Sequence, residues 1–263
     1  MAAPILEVQG LGKTFGSVTA ARDITLSVPP QQTVGIIGAN GAGKTTFVNL
    51  ITGYIKPSSG RIRFEGRDIT DLSPREITAL GVCRSFQVAQ VFPSMSVLDN
   101  MAIALGIARR GAGAAWRPLR TRRLLQDAER VLERYRIADY RHASASTLPQ
   151  GVRKLLDIAM AVAAEPRIVL LDEPTSGISV EEKYEIMEVV VGVLRAAGLT
   201  VLFVEHDMDI VERYAERVLA FYDGTVIADG PPAEALHDAK VKQFVVGETL
   251  HRPTRPGAAA AHA

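Results

Sequence analysis

The chain has 263 residues, which is enough for one large α/β domain or two small ones. Its 30 Lys and Arg residues nearly balance its 29 Asp and Glu residues, which argues against a nucleic-acid partner. The single cysteine, Cys83, excludes an internal disulfide, and the N-terminus lacks the pattern of a signal peptide. No apolar run reaches the roughly 18 residues that a membrane span needs. We therefore expect a soluble protein that reaches any membrane only through partners.

Short apolar runs bounded by Gly or Pro predict strands in the first part of the chain. These predicted strands cover residues 5–8, 24–28, 34–37 and 61–64. The third is followed by a predicted helix over residues 45–55, which stops before Lys56-Pro57. The order strand, glycine-rich loop, helix is typical of a nucleotide-binding α/β domain.

The pattern becomes helical between about residues 87 and 150. Ser96 and Asp99 have the spacing of a capping box, which opens an apolar helix that runs through Leu105. Residues 106–123 are rich in Gly and Arg and are predicted to be a loop, and residues 124–135 have an amphipathic pattern. We interpret this stretch as a separate helical insert.

The α/β pattern resumes after the insert. Residues 152–164 and 180–197 are predicted to be helices, the second capped by Gly198, and residues 168–171 and 199–204 to be strands. Residues 217–228 predict a hairpin that turns at Asp223-Gly224. The tail from residue 252 is rich in Pro and Ala, which predicts disorder.

A phosphate-binding loop follows the third strand. The pattern GxxxxGK[ST] is matched by Gly38-Ala39-Asn40-Gly41-Ala42-Gly43-Lys44-Thr45-Thr46. The glycines let backbone N–H groups point at phosphate oxygens, and the following helix directs its positive end to the same place. Lys44 would contact the β- and γ-phosphates of ATP, and the Thr45 hydroxyl would bind Mg²⁺. The alternative is a chance Gly-rich turn, which the strand before and the helix after the loop oppose.

Acidic and histidine side chains stand at the ends of two later predicted strands. Asp172 and Glu173 follow one strand, where the first acid would hold Mg²⁺ and the second would orient and deprotonate the attacking water. His206 follows the next strand, where it could contact the γ-phosphate. The carboxyl ends of parallel strands share one sheet edge, so this placement favours function over a solvated strand end or a structural histidine.

These motifs, in this order, resemble the ABC transporter nucleotide-binding domain over residues 5 to about 250. The resemblance implies an α/β fold: a P-loop NTPase core with a mixed, mainly parallel sheet, an antiparallel β subdomain and a helical insert subdomain. It implies one domain over residues 4–250, with the core at 4–86 and 152–235 and the helical subdomain at 88–150. A C-terminal helix at 236–250 would precede a disordered tail at 251–263.

The resemblance also implies roles for individual residues. Gln87, in Arg84-Ser85-Phe86-Gln87, matches the Q-loop glutamine, which senses Mg²⁺ and the γ-phosphate and is counted among the metal ligands with Thr45 and Asp172. Glu173 and His206 match the catalytic glutamate and the switch histidine. Phe15 would stack on adenine, with Val18 beside it. The implied ATP-binding set is Phe15, Val18, Gly38, Asn40, Gly41, Ala42, Gly43, Lys44, Thr45 and Thr46.

Leu148, Pro149, Gln150 and Gly151 stand where the family has its LSGGQ signature, which completes the ATP site of the opposite subunit. The match is imperfect, because Pro149 replaces the serine and Val152 replaces the final glutamine. Pro149 can donate no hydrogen bond, although Gly151 and the following helix still favour an anion. Ser179 replaces the usual D-loop aspartate. Both departures suit a heterodimer with a second ATPase subunit, with a homodimer as the alternative.

Within the family, the sequence is similar to ATPase subunits of branched-chain amino-acid importers. The similarity lies in residues 81–87, 203–208 and 243–248. It implies an ATPase on the cytoplasmic face of the cell membrane, bound to permease subunits and served indirectly by a solute-binding protein. The alternatives are an importer of urea or amides, a lipid exporter, a non-hydrolysing regulator, and an ABC ATPase that acts on DNA or ribosomes.

Overall fold

The computed structural model describes residues 3–85, 90–110 and 121–246. Its strands are β1 (Leu6–Phe15), β2 (Val18–Val28), β3 (Thr33–Gly38), β4 (Ser59–Phe64), β5 (Arg67–Asp68), β6 (Val82–Ser85), β7 (Ile168–Asp172), β8 (Thr200–Val204), β9 (Arg217–Tyr222) and β10 (Thr225–Gly230). Its α-helices are α1 (Lys44–Ile51), α2 (Pro74–Ala79), α3 (Val97–Arg110), α4 (Arg122–Arg134), α5 (Gln150–Ala161), α6 (Val180–Ala196), α7 (Met208–Tyr214), α8 (Pro232–Ala235) and α9 (Ala239–Val241).

The strands form two sheets. An antiparallel sheet has the order β2-β1-β4-β5, and a larger sheet has the order β10-β9-β3-β8-β7-β6. In the larger sheet every neighbouring pair is parallel except β10 with β9. This arrangement confirms the predicted α/β fold class. It also brings the carboxyl ends of β3, β7 and β8 to one edge, because these strands are parallel neighbours.

Side chains of each central strand alternate between two hydrophobic clusters. In β7, Val169 and Leu171 join the cluster that contains α3 to α7, whereas Ile168 and Leu170 join the one that contains α1 and the antiparallel sheet. Because successive residues of a strand point to opposite faces, a strand covered on both faces must be apolar throughout. The buried residues of helices α3, α4 and α5 therefore share a continuous core with one face of the large sheet.

The first two strands are longer than predicted. The runs 5–8 and 24–28 are only the regular parts of β1 and β2, which continue to a tight turn between Phe15 and Val18. The pairing of β1 with β2 shifts register between Val8 and Leu11 and again between Leu11 and Lys13. Such irregularities interrupt the alternation from which the strand was read.

Helix boundaries also differ from the prediction. The helix predicted to reach residue 55 ends at Ile51, because Gly53 adopts φ +74° and terminates it. Both predicted bounds of the loop over residues 106–123 are wrong, because α3 continues to Arg110 and α4 begins at Arg122. Gly106 is buried within α3, so packing offsets the roughly 1 kcal/mol that glycine costs a helix.

Several local predictions are confirmed. The backbone N–H of Asp99 donates to Ser96 Oγ (3.0 Å), as expected at a helix start. Gly198 has φ +69° just after α6. Asp223 and Gly224 both have positive φ at the turn between β9 and β10, which is the geometry of a type I′ hairpin.

Between residues 236 and 246, shorter helical pieces are found in place of the single helix predicted over residues 236–250. Helix α8 ends at Ala235, α9 covers Ala239–Val241, and a π-helical turn covers Lys242–Val246. Residues 247–263, which include the predicted tail, lie outside the described residues. Within the described ranges, no helix combines the length and apolar character needed to cross a bilayer.

Candidate active site

The loop between β3 and α1 requires glycine at two positions. Gly38 and Gly43 have φ +152° and +103°. A Cβ on Gly38 would lie 2.5 Å from the carbonyl oxygen of Phe221, and one on Gly43 would lie 2.7 Å from that of Ala20. Both contacts are with backbone, which cannot move aside cheaply. The pattern glycines therefore let the loop pass between β2 and β9.

The Lys44 ammonium is buried at the mouth of this loop. Its Nζ donates to the carbonyl oxygens of Gly38 (2.6 Å) and Ala39 (3.1 Å). Burial lowers the pKa of Lys44, while the negative charges of Glu173 and Asp172 raise it. The loop thus holds a cation that interacts with both the predicted base Glu173 and the predicted metal ligand Asp172.

The loop also fits a polyphosphate. Helix α1 starts after Gly43 with no side chain capping its first N–H groups. A Cβ on Gly41 would meet nothing within 4 Å, and Asn40 and Thr45 are exposed. Thr46 is half-buried, and Ala42 is buried where its carbonyl accepts from the N–H of Gly224 (3.0 Å). Open backbone donors, a helix N-terminus and a lysine are the groups that bind nucleotide phosphates.

Phe15 and Val18 pair across the β1–β2 turn beside the loop. Their exposed fractions of 49% and 63% are high for apolar residues. Val18 lies two residues before Ala20, whose carbonyl approaches Gly43. The turn therefore offers an apolar surface next to the phosphate-binding loop, as a stacking site for a base requires.

Asp172 and Glu173 differ in their surroundings. Asp172 is buried at the end of β7, where its Oδ2 accepts a hydrogen bond from Arg84 Nη2 (2.5 Å). Glu173 follows with φ +46°, and its N–H donates to the carbonyl of Val204 on β8 (3.1 Å). The turn directs the Glu173 side chain toward the end of β8, where Nε2 of His206 lies 3.0 Å from Glu173 Oε1. The structure thus brings the two predicted catalytic residues into contact.

Glu205, for which we predicted no role from the sequence, supports the contact between Glu173 and His206 through buried hydrogen bonds. It is buried, with Oε1 accepting from the N–H (3.0 Å) and hydroxyl (2.7 Å) of Thr175 and Oε2 from the N–H of His206 (3.2 Å). Burial raises the pKa of Glu205. The residue fixes the backbone around both Glu173 and His206. The sequence feature that could have identified Glu205 is the position of an acidic residue between a buried strand and a histidine of the site.

Helix α5 contributes two further buried charges that sequence reasoning missed. Asp157 accepts from the hydroxyl of Ser85 and the N–H of Gln90, both at 2.7 Å, so it holds the two flanks of residues 86–89. Burial lowers the pKa of Lys154, while Asp157 and then Asp172 raise it. A Lys and an Asp three residues apart, next to the apolar residues Leu155, Leu156 and Ile158, are the available signal. The predicted Gln87 lies outside the described residues.

The predicted signature residues lie at the start of α5. Pro149 occupies the N-cap position without a side-chain hydrogen bond, and Leu148 before it is buried. Gln150 Nε2 donates to the carbonyl of Ser176 (3.3 Å), and Gly151 packs against Ile186. Ser179, the position of the D-loop aspartate, caps α6 by accepting from the N–H of Glu182 (3.4 Å).

Comparisons with known proteins agree with this geometry. The family model described as "ABC transporter" matches residues 21–176. The branched-chain amino acid transport ATP-binding protein BraF of Pseudomonas aeruginosa is 33% identical over 255 residues, covering 94% of this chain and all of that protein. LivG of Escherichia coli K12 is 32% identical with the same coverage.

Solved structures give the same result. The ADP conformation of MJ1267, an ATP-binding cassette of an ABC transporter, superposes with a TM-score of 0.83 at 31% identity, covering 94% of this chain and all of that one. The match extends well beyond the phosphate-binding loop, through both strand-end motifs. The chain therefore belongs to the ABC transporter family of ATP-binding subunits.

Proposed function

We propose that this chain binds and hydrolyses ATP to power an ABC importer for branched-chain amino acids or a related small solute. The contact between Glu173 and His206 carries the proposal. It sets a candidate base and a candidate γ-phosphate sensor beside Lys44, at the sheet edge where the phosphate-binding loop opens. The similarity to BraF and LivG supports the substrate class.

Each residue has a distinct task in this proposal. Phe15 and Val18 receive the adenine, and the backbone of residues 38–46 with Lys44 holds the phosphates. Thr45 and Asp172, together with Gln87, would hold Mg²⁺, which supplies charge neutralisation at the β- and γ-phosphates. Glu173 accepts the proton of the attacking water, and His206 orients Glu173 and contacts the γ-phosphate.

We infer that two such subunits close head to tail, with Leu148, Pro149, Gln150 and Gly151 serving the partner's ATP. Pro149 has no donor for that ATP, so the site completed by this chain depends on Gly151 and the first N–H groups of α5. A second, different ATPase subunit would keep one full signature in the assembly. The assembly would sit at the cytoplasmic face of the membrane on permease subunits.

The test is uptake of labelled leucine, isoleucine and valine by cells in which a Lys44→Ala copy replaces the gene. Loss of uptake of all three would support both the ATP dependence and the substrate class. Normal uptake, with Mg-dependent ATPase activity of the purified wild-type protein, would reject this substrate class and direct the assay to urea and amides. Absence of ATPase activity in the purified wild-type complex with its permease would reject hydrolysis.

A further inference from the structure

We propose that Arg84 is a built-in counter-ion of Asp172 that opposes Mg²⁺ and so sets how strongly nucleotide binding depends on the metal. The inference rests on the proposed role of Asp172 as a Mg²⁺ ligand. It assigns Arg84 as a positioning residue that contacts a metal ligand and does not itself touch the reacting atoms.

The guanidinium of Arg84 joins two elements of the site. Its Nη2 lies 2.5 Å from Asp172 Oδ2 at the end of β7, and its Nη1 donates to Asn49 Oδ1 on α1 (2.6 Å). The side chains of Arg84 and Asp172 are only 9% and 11% exposed. Arg84 therefore connects the helix of the phosphate-binding loop to the carboxylate that would bind the metal.

The backbone holds Arg84 firmly in this position. Arg84 pairs with Leu170 in the parallel ladder between β6 and β7. The next residue, Ser85, donates its hydroxyl to the buried carboxylate of Asp157 on α5 (2.7 Å). The strand pairing fixes the backbone of Arg84, and the burial of its side chain together with the hydrogen bond to Asn49 holds the guanidinium beside Asp172. Its charge consequently stays beside the carboxylate whether or not a metal is present.

This arrangement has opposite effects on the two states of the site. Without a metal, Asp172 would be a buried carboxylate, and the guanidinium compensates its desolvation. With Mg²⁺ bound, two cations would share one carboxylate in a poorly screened environment, so they repel each other. The hydrogen bond uses Oδ2, which leaves Oδ1 for another ligand. Arg84 thus stabilises the metal-free site and lowers the affinity of the site for Mg²⁺.

A purely structural role of the ion pair between Arg84 and Asp172 would give a different result when the charge of Arg84 is removed. If Arg84 only tied β6 to β7, removing its charge would lower the stability of the fold and leave the metal dependence of nucleotide binding unchanged. If Arg84 opposes the metal, removing its charge strengthens that dependence. The sign of the change in metal dependence separates the two roles, and hydrolysis need not be measured.

The experiment compares the affinity of a fluorescent, non-hydrolysable ATP analogue with Mg²⁺ and with EDTA. The metal effect is the ratio of the dissociation constant in EDTA to that in Mg²⁺. In Arg84→Gln we expect this ratio to rise at least about tenfold above wild type, because a fixed charge has left a weakly screened site. In Arg84→Lys, which keeps a cation, we expect a change below about threefold. An unchanged or smaller ratio in Arg84→Gln overturns the inference.

Controls keep the result interpretable. Arg167→Gln removes the same charge at the other end of β7, where Arg167 pairs with Glu65 (2.6 Å), and should leave the ratio unchanged. Thermal unfolding identifies variants that do not fold, and Arg84→Met, of similar length, replaces Arg84→Gln if that variant fails. Asp172→Asn should abolish the metal effect. A wild-type protein without any metal effect would refute the proposed role of Asp172, whereas a normal wild-type effect with no response to Arg84 substitution refutes this inference alone.

Discussion

Nε2 of His206 and Oε1 of Glu173 lie 3.0 Å apart although the two residues are 33 positions apart in the chain. The contact forms because β7 and β8 are adjacent parallel strands that end at the same edge, and because Glu173 turns toward β8 through a left-handed backbone conformation. Glu205 holds both flanking loops through Thr175 and His206. The geometry of the pair is therefore built by buried hydrogen bonds beneath it, and the partly exposed pair can meet a nucleotide.

Replacing Glu173 by Gln should slow ATP hydrolysis by at least about 100-fold while nucleotide affinity stays near wild type, because the amide keeps the shape but cannot accept the proton of water. Single-turnover hydrolysis and equilibrium binding measure the two quantities. Glu181→Gln, on the exposed first turn of α6, is the matched control. Turnover near wild type in Glu173→Gln would remove this residue from the role of base.

Substituting His206 by Ala should also reduce hydrolysis, by roughly 10- to 1000-fold, because Glu173 loses the side chain that orients it. His206→Gln keeps a polar group near Glu173 Oε1 and should retain more activity than His206→Ala. Both variants should unfold at nearly the wild-type temperature, since the His206 side chain is 43% exposed. Equal activity of the two variants would argue against an orienting contact.

Gly43→Ala should destabilise the protein more than Gly16→Ala. Both positions have positive φ, which costs a side chain roughly 1–2 kcal/mol, but only at Gly43 would the Cβ collide with backbone. The collision adds about 1–3 kcal/mol. Chemical denaturation of the two variants gives the comparison. Equal losses would show that the phosphate-binding loop relaxes around the added methyl group.

The buried carboxyl of Glu205 should make stability depend on pH. Burial raises its pKa in the folded state, so the folded protein holds this proton more tightly than the unfolded chain. Stability from this group is complete below the ordinary value of 4.5 and is lost as the pH rises through the folded pKa. The free energy of unfolding of Glu205→Gln, relative to wild type, should therefore increase as the pH is raised from 4.5 toward neutrality. Denaturation at several pH values measures it, and a constant difference would contradict the prediction.

Cys83 should resist alkylation in the native protein under mildly alkaline conditions. Burial raises the pKa of its thiol to about 11, and the thiolate is the reactive form. Iodoacetamide should label it slowly in buffer and rapidly in guanidinium chloride. Rapid labelling of the folded protein, with no loss of structure, would show that β6 opens readily at this position.

Local sequence patterns were sufficient to predict the phosphate-binding loop, the acids and histidine at the strand ends, and the alternation of strands and helices, whereas the full fold class was implied by the resemblance to a known family. These features depend on short-range rules: glycines at fixed spacing, apolar runs with period two, and polar residues immediately after buried strands. The hairpin at Asp223-Gly224 and the end of α6 at Gly198 follow from the same local chemistry. Such features need no knowledge of which segments pack together.

The electrostatic environment of the candidate site, in contrast, is set by contacts between distant parts of the chain. The charged groups around the site come from segments that are far apart in sequence: Arg84 from the edge strand β6, Lys154 and Asp157 from α5, and Glu205 from the end of β8. Their charges matter because burial removes them from water. The extent of α3 through Gly106 and the early end of α1 were likewise set by packing and by the backbone conformation after the helix. Spacing rules identify groups that bind a nucleotide, whereas long-range packing selects the groups that hold them in place.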